Sequence, residues 1–322
     1  MSQPLYWLQP GDPEAWTGGN LYNRRMIQAL RALGRPVLTR HLPGPWPEPD
    51  SAAMARAAAG VAALPDGACV VVDGLAGSVL PLLAAGQGAR LQWWLLCHLP
   101  LARETGLPPA VADWLDRLER AALALATGVI ATSPACARNL QAAGLPGERL
   151  RVVPPGVAAA VPLPDRTSTG PLRLLCVANI TPRKQHALLI DALAAMPRFE
   201  GCCYCIGDTG AYPDLVGDLR RRVRASGLGG QVRFPGSCRP EAMTDWYRWA
   251  DLLVLPSDYE TYGMVVTEAI AHGLPALVSD AGALPETLPA GAGQVLPAGR
   301  VRAWRDALQS CQDSPSRLHR WA

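Results

Sequence analysis

The sequence holds two glutamates, Glu260 and Glu268, with seven residues between them and a glycine, Gly263, inside that interval. A carboxylate can accept hydrogen bonds from two neighbouring hydroxyl groups, such as those of a ribose or a hexose. Gly263 has no Cβ, so a ligand can approach its backbone closely, and the unpaired N–H groups of a following helix suit a phosphate. We therefore predict a nucleoside diphosphate site, with Glu268 on the ribose, Glu260 on the group beyond the phosphates, and the backbone of Gly263, Met264 and Val265 at the phosphates.

A strand, a loop and a helix must position these glutamates. The apolar run at residues 252–255 is typical of a buried parallel strand, and Pro256-Ser-Asp258 ends it. Helical spacing begins near Tyr262 and ends at Gly273, before another strand at residues 276–278. Open α/β sheets bind ligands where their strands end, so this loop lies at the ligand-binding edge of a sheet.

The stretch resembles the E-x7-E signature of the family 4 retaining glycosyltransferases, and neighbouring sequence words match that family in the same order. They are Val232-Arg-Phe-Pro-Gly236, Trp249-Ala-Asp-Leu-Leu-Val-Leu-Pro-Ser257, Glu268-Ala-Ile-Ala-His-Gly-Leu-Pro275 and Ser279-Asp-Ala-Gly-Ala-Leu-Pro-Glu286. The resemblance implies an α/β chain of GT-B architecture, with two Rossmann-like, doubly wound parallel-sheet domains facing a cleft. It also implies transfer of a hexosyl group from a UDP- or GDP-sugar to a hydroxyl acceptor, with retention of configuration. The alternative interpretation is that both glutamates are surface residues flanking a helix.

A pair of cations, Arg183 and Lys184, follows another predicted strand at residues 172–177. Arginine can bind a phosphate bidentately and lysine binds it as a point charge, so the pair suits a diphosphate. The resemblance places a basic pair here, with two departures: Asn179 stands where an arginine is common, and Gln185 stands where a glycine usually follows the lysine. A solvated basic turn is the alternative.

In the N-terminal half, Gly18 and Gly19 follow the first predicted strand, residues 5–8, in a loop before a helix from about residue 21 to residue 33. Two glycines let backbone amides face an anion, although such a pair is often only a turn. His98 stands at the end of a strand predicted at residues 91–96. The resemblance implies that the glycines lie near the donor diphosphate and that the histidine orients or stabilises the donor sugar. His98, Glu260 and Lys184 are thus the predicted catalytic set, and a structural histidine is the alternative.

Alternating strands and helices predict a parallel sheet in each half. Further strands are expected at residues 69–72, 128–131 and 150–153, and an Ala, Pro, Ser and Thr-rich linker follows. We place the domain boundary near residue 165, giving an acceptor-side domain at 1–165 and a nucleotide-sugar donor domain at 166–322.

Composition limits the partners of the chain. Hydrophobic residues at 49% and charged residues at 18% describe a globular protein, and a net charge of +3 does not imply nucleic acid. No signal peptide or transmembrane segment is apparent, so we expect a cytoplasmic protein. The arginines at 220–222 and 224 are interpreted as a solvated helix face, with peripheral contact to an anionic lipid surface as the alternative.

The nine cysteines include Cys202, Cys203 and Cys205 on an apolar, strand-like run. We interpret them as reduced core residues, with a metal site as the alternative. No D-x-D carboxylate pair is present to hold a metal against a diphosphate. No metal and no cofactor are therefore predicted, and the nucleotide sugar is a co-substrate.

Two other functions fit the same scaffold. One is a nucleotide-sugar epimerase or a glycosyl phosphorylase, and the other is a catalytically silent partner subunit. A dinucleotide-dependent dehydrogenase is disfavoured, because neither half has G-x-G-x-x-G after its first strand.

Overall fold

The computed structural model describes residues 3–87, 89–158 and 170–322. The chain divides into two compact units, Met1–Gly156 and Val157–Ala322, which we call the N-terminal and C-terminal units. The boundary predicted near residue 165 lies outside the described residues.

The N-terminal unit is one parallel sheet with helices in the crossovers. Its strands are β1 (Leu5–Pro10), β2 (Val37–Leu42), β3 (Cys69–Asp73), β4 (Gln92–Cys97), β5 (Gly128–Ala131) and β6 (Leu150–Val152). Its helices are α1 (Gly18–Ala32), α2 (Ser51–Ala62), α3 (Gly74–Gly77), α4 (Leu80–Leu83), α5 (Pro109–Leu125) and α6 (Pro134–Ala142), with 3-10 turns at Leu101–Arg103 and Gly147–Arg149. The spatial order of the strands is β2-β1-β3-β4-β5-β6.

The C-terminal unit repeats this architecture with a different strand order. Its strands are β7 (Leu172–Val177), β8 (Gly201–Ile206), β9 (Val232–Gly236), β10 (Leu252–Leu255), β11 (Ala276–Ser279) and β12 (Gly293–Leu296). Its helices are α7 (His186–Ala194), α8 (Pro213–Ala225), α9 (Pro240–Trp249), α10 (Met264–Ala271), α11 (Leu284–Thr287), α12 (Val301–Asp313) and α13 (Pro315–His319), with a 3-10 turn at Pro182–Lys184. The order is β12-β11-β10-β7-β8-β9, so the chain order reverses between β7 and β10.

Each unit has its own hydrophobic core between the sheet and the helices. In the C-terminal unit every residue of β10 and β11 is buried, and Trp304 of α12 is fully buried against this core. In the N-terminal unit, Val70, Val72 and Val129 of the central strands have no exposed surface. Central parallel strands are covered on both faces, which explains why their sequences are continuous apolar runs.

The strands predicted from apolar runs are present, and two edge strands were not predicted. In β2 the four middle residues are exposed, and in β12 only the last residue is buried. An edge strand has one unpaired side and needs less apolar surface, so its sequence lacks the buried-strand signal.

Helix α1 begins at Gly18, earlier than the predicted residue 21. Thr17 is its N-cap: the Thr17 hydroxyl accepts a hydrogen bond from the Asn20 N–H at 3.1 Å. Because Thr17 caps the helix, Gly18 and Gly19 form part of its first turn. The prediction that the glycines lie in a loop was therefore wrong, although they remain at a helix N-terminus.

Within the described ranges, no helix combines the length and the apolar character that crossing a membrane requires.

Candidate active site

The carboxylate of Glu260 is the centre of a buried charge cluster in the C-terminal unit. Glu260 is 8% exposed. Its Oε1 accepts hydrogen bonds from Lys184 Nζ and from Ser257 Oγ, the latter at 2.8 Å. Arg183 Nη1 lies 3.5 Å from Oε2. Two cations therefore share one carboxylate, and the cluster carries a net positive charge.

The two loops that supply this cluster follow β7 and β10, the strands between which the chain order reverses. Ligands of doubly wound sheets bind at this reversal, because the two loops diverge there and leave a crevice. Two hydrogen bonds also join the loops: the Asp258 N–H donates to Arg183 O at 2.8 Å, and the Arg183 side chain donates from Nη1 to Tyr259 O at 2.7 Å. The predicted basic pair and the predicted glutamate thus lie together.

The charge environment lowers the pKa of Glu260. Burial alone would raise the pKa of this carboxyl, but the positive charges of Lys184 and Arg183 and the hydrogen bonds from Lys184 and Ser257 outweigh burial. Glu260 is thus an ionised acceptor at neutral pH.

Gln185 adopts the left-handed conformation, with φ 52° and ψ 39°. Glycine adopts this conformation without steric cost, which explains why a glycine is usual after the lysine in the family that the sequence resembles. Here the Gln185 side chain supports the loop, since its Nε2 donates to Asp258 Oδ2 at 2.5 Å and to Pro182 O at 3.2 Å.

Helix α10 begins beside this cluster. Gly263 is its N-cap residue with φ 90°, and a Cβ at this position would lie 2.6 Å from Leu284 Cδ2. Met264 and Val265 form the first turn and are partly buried. The glycine is therefore required both by its backbone conformation and by the close approach of α11.

Glu268 lies further along α10, where a tyrosine orients its carboxylate. Tyr247 OH donates to Glu268 Oε2 at 2.9 Å, and the Tyr247 ring stacks on His272 with centroids 5.0 Å apart. Tyr247 is 2% exposed. Tyr247 lies on α9 and was not identified from the sequence.

In the N-terminal unit, His98 belongs to a second polar cluster. His98 Nε2 lies 3.2 Å from Asp73 Oδ2 and 3.1 Å from Asn23 Oδ1. Asn23 Nδ2 donates to the same Asp73 oxygen at 2.6 Å, and the rings of Tyr22 and His98 pack edge to face with their centroids 5.2 Å apart. The imidazole is therefore oriented from several directions.

Asp73 and Asn23 were not identified from the sequence. Asp73 directly follows the strand predicted at residues 69–72, and Asn23 lies inside the helix predicted from about residue 21, one turn beyond Gly19. Burial alone would raise the pKa of Asp73, but the charge of His98 and the hydrogen bonds from His98, Asn23 and the Leu75 N–H lower it below its usual range. A Cβ on Gly19 would contact the His98 ring at 3.4 Å, so the predicted glycine and histidine are neighbours.

The arginines of α8 are exposed, as the solvated-face interpretation expects. Arg222 pairs with Asp191 at 2.6 Å, and Arg221 pairs with Asp218.

The sequence matches known protein families and relatives. The family model described as Glycosyltransferase Family 4 matches residues 35–161, and the model described as Glycosyl transferases group 1 matches residues 165–322. D-inositol 3-phosphate glycosyltransferase 1 of Catenulispora acidiphila is 29% identical over 313 residues, which cover 88% of this chain and 74% of that protein. The D-inositol 3-phosphate glycosyltransferase of Jonesia denitrificans is 32% identical over 182 residues, 50% of this chain and 43% of that protein. The chain thus spans less than half of the Jonesia protein's length.

Solved structures confirm the predicted fold. The sucrose-phosphate synthase of Thermosynechococcus elongatus superposes with a TM-score of 0.80 and 24% identity, covering 99% of this chain and 92% of the synthase. The two doubly wound parallel sheets place the protein in the GT-B class of α/β proteins. Together with the two family models, this establishes that the chain belongs to glycosyltransferase family 4.

Proposed function

We propose that the protein transfers a hexosyl group from a nucleoside diphosphate sugar to a hydroxyl acceptor with retention of configuration. The observation that carries this proposal is the cluster of Lys184, Arg183 and Glu260 at the crevice between β7 and β10. A net positive charge beside a helix N-terminus is what a departing diphosphate requires. Family membership supports glycosyl transfer as the reaction class.

Lys184 and Arg183 would neutralise the charge that develops on the leaving diphosphate, together with the amides of Met264 and Val265. Lys184 is the only lysine in a sequence with 30 lysine and arginine residues. Lys184 is therefore the one side chain of the sequence that carries a compact ammonium group. Its point charge is not equivalent to the planar guanidinium of arginine. Glu260 holds the ammonium in place and is assigned to the hydroxyls of the donor sugar.

Glu268 would hold the ribose. Its Oε2 accepts from Tyr247 OH, which fixes the plane of the carboxylate, and a carboxylate has further lone pairs to accept from two ribose hydroxyls. In the N-terminal unit, Asp73 and Asn23 orient His98, which we assign to the donor sugar. In the reaction, the bond from C1 to the diphosphate breaks as the acceptor oxygen bonds to the same face of C1. The acceptor proton passes to the leaving phosphate oxygen.

The first experiment is a thermal-shift panel of nucleoside diphosphates and their sugars on the purified chain and on Glu268→Ala. A ligand that binds the folded state raises Tm by mass action. We expect one nucleotide series to raise the Tm of the wild type and to act at least tenfold more weakly on the variant. No stabilisation by any member of the panel would instead favour the silent partner subunit.

The single lysine allows a second test of the same site. Reductive methylation modifies amines, so in this chain it reports on Lys184 and the N-terminal amine only. A bound donor nucleotide should slow methylation of Lys184 and leave the N-terminal amine, the internal control, unchanged. Equal methylation of Lys184 with and without saturating nucleotide would remove it from the diphosphate site.

Product analysis separates transfer from the rival reactions. Conversion of the donor without an acceptor would identify an epimerase, whereas a transferase should form a glycosylated product only when a hydroxyl acceptor is added.

A further inference from the structure

Three side chains that the proposed reaction does not use converge inside the C-terminal unit. The thiols of Cys176 and Cys205 and a ring nitrogen of His186 all lie within 4.8 Å of one another, and all three residues are buried. Both cysteines are free thiols.

The fold brings these residues together from three elements. Cys176 and Cys205 occupy directly paired positions of the neighbouring parallel strands β7 and β8, so their side chains leave the same face of the sheet. His186 is the first residue of α7, which begins after the Arg183–Lys184 loop. The cluster therefore lies under the loop that carries the predicted donor-binding cations.

His186 supplies an independent indication that a ligand belongs here. It is 2% exposed and lies against the Cys176 sulfur, but neither Nδ1 nor Nε2 reaches a partner at hydrogen-bond distance and angle in the part of the chain that the structure describes. An imidazole carries at least one N–H, and leaving a buried donor unpaired costs about 1–3 kcal/mol. If this position served only packing, an apolar side chain would fill it without that free-energy cost.

We propose that Cys176, His186 and Cys205 bind a zinc ion. Two thiolates and one imidazole are the ligand chemistry that zinc prefers. The two positive charges of a divalent ion balance the charges of two thiolates, which matters because an uncompensated charge is costly in a buried site. A monovalent thiophilic ion such as Cu(I) would leave a net negative charge.

The geometry requires only a small adjustment. With Zn–S bonds of about 2.3 Å and Zn–N bonds of about 2.0 Å, ligand atoms at tetrahedral angles lie roughly 3.5–3.8 Å apart, and a water molecule would take the fourth position beside the three side chains. The ligand atoms here are at most 4.8 Å apart, so side-chain rotations can close the difference. On binding, each thiol releases its proton to solvent, and zinc accepts a lone pair from each sulfur and from one imidazole nitrogen.

The metal would have a positioning role. It would tie the carboxyl ends of β7 and β8 to the start of α7 and so fix the loop that holds Lys184. This site is separate from a metal at the donor diphosphate, which the sequence does not predict.

The test is metal analysis of the purified full chain after dialysis against a weak chelator, followed by titration of the metal-free chain with Zn²⁺ and Co²⁺. We expect one equivalent of zinc, a Tm that rises with added Zn²⁺, and a sulfur-to-cobalt charge-transfer band with Co²⁺. The cobalt spectrum of the wild type reports sulfur ligation by itself. The proposal can therefore be tested even if a variant fails to fold.

Cys205→Ser and His186→Ala should each weaken zinc binding at least tenfold. Cys311→Ser is the matched control, because Cys311 is a buried cysteine of the same unit outside the cluster. Failure of the wild type to bind stoichiometric Zn²⁺, zinc binding by Cys205→Ser equal to that of the wild type, or a Cys176–Cys205 disulfide in the purified chain would each overturn the proposal. None of these readouts depends on glycosyl transfer.

Discussion

At the residue scale, Glu260 is a carboxylate that two cations hold in the charged state. Removing its charge leaves the partly buried Lys184 and Arg183 without this carboxylate, and breaking a buried ion pair costs several kcal/mol. We expect Glu260→Gln to lower the free energy of unfolding of the C-terminal unit by about 3 kcal/mol in chemical denaturation. Asp218→Asn, which breaks the exposed pair with Arg221, is the control and should change little. Equal effects of the two substitutions would show that the buried cluster adds no special stability.

The lowered pKa of Glu260 predicts a pH dependence. A carboxyl whose folded pKa is below its unfolded value stabilises the fold fully above the unfolded pKa, about 4.3, and loses this contribution as pH falls through the folded pKa. The Tm difference between wild type and Glu260→Gln should therefore be constant near neutrality and shrink from about pH 5 downwards. A difference that grows on acidification would contradict the assignment.

How much of these sites the sequence predicts can be judged from individual residues. Arg183, Lys184, Glu260 and Glu268 were placed at strand ends by pattern and by resemblance. The Lys184–Glu260 contact was not predictable, because it depends on β7 lying beside β10, and the order of elements along the chain does not give the order of strands in a sheet. The contact of His98 with Asp73 has the same origin, since β3 and β4 must be neighbours for it to form.

At the element scale, the turn between β7 and α7 holds a non-glycine residue, Gln185, in a backbone conformation that favours glycine. Gln185 holds a left-handed conformation that costs a non-glycine residue about 1–2 kcal/mol. Gln185→Ala and Gln185→Gly lose the same hydrogen bonds to Asp258 and Pro182 and differ only in the Cβ. We expect the glycine variant to be more stable than the alanine variant by about 1 kcal/mol in thermal or chemical unfolding. Equal stabilities would mean that the turn relaxes when the side chain is shortened.

Helix α10 has a glycine at each end, which gives a matched pair of substitutions. Gly263 and Gly273 both have positive φ, but a Cβ at 263 would meet Leu284 at 2.6 Å, whereas a Cβ at 273 has nothing within 4 Å. Gly273→Ala should cost about 1 kcal/mol from backbone strain alone. Gly263→Ala should cost about 1–3 kcal/mol more, because its φ of 90° lies outside the left-handed region that alanine can adopt and a Cβ would also overpack against Leu284. If Gly263→Ala proves no worse than Gly273→Ala in urea unfolding, the close approach of α11 is not maintained in solution.

Elements were predicted well where burial imposes a pattern and poorly where it does not. The runs in β7 and β10 are apolar because both faces are covered, whereas β2 is exposed over four of its six residues and reads as a loop. The early start of α1 depends on the Thr17 hydroxyl, which caps the helix. This cap was not predicted, because the two glycines that follow Thr17 were interpreted as part of a loop.

At the scale of the whole molecule, each unit has a separate core, so each should open as its own cooperative unit. Hydrogen exchange of the full chain, followed by mass spectrometry of peptides, measures this directly. Glu260→Gln should speed exchange in β7, β10 and β11 and leave β3 and β4 unchanged. Asp73→Asn should do the reverse. A uniform loss of protection across both units in either variant would show that they unfold together.

Two domains of one architecture were predictable from the repeated strand and helix pattern. The two strand orders were not predictable, because both satisfy the same alternation and differ in where the chain reverses direction across the sheet: between β1 and β3 in one unit and between β7 and β10 in the other.

Arg183, Lys184 and Glu260 lie in loops that follow strands and Glu268 lies on α10, while the strands themselves carry the packing. A substitution at a loop side chain outside the buried Glu260 cluster changes what the crevice contacts and leaves the apolar interior intact. Natural selection can therefore vary sugar and acceptor preference in small steps without passing through unfolded ancestors. In a lineage that duplicates such a gene, divergence should accumulate at the sheet edge long before it reaches β10 and β11.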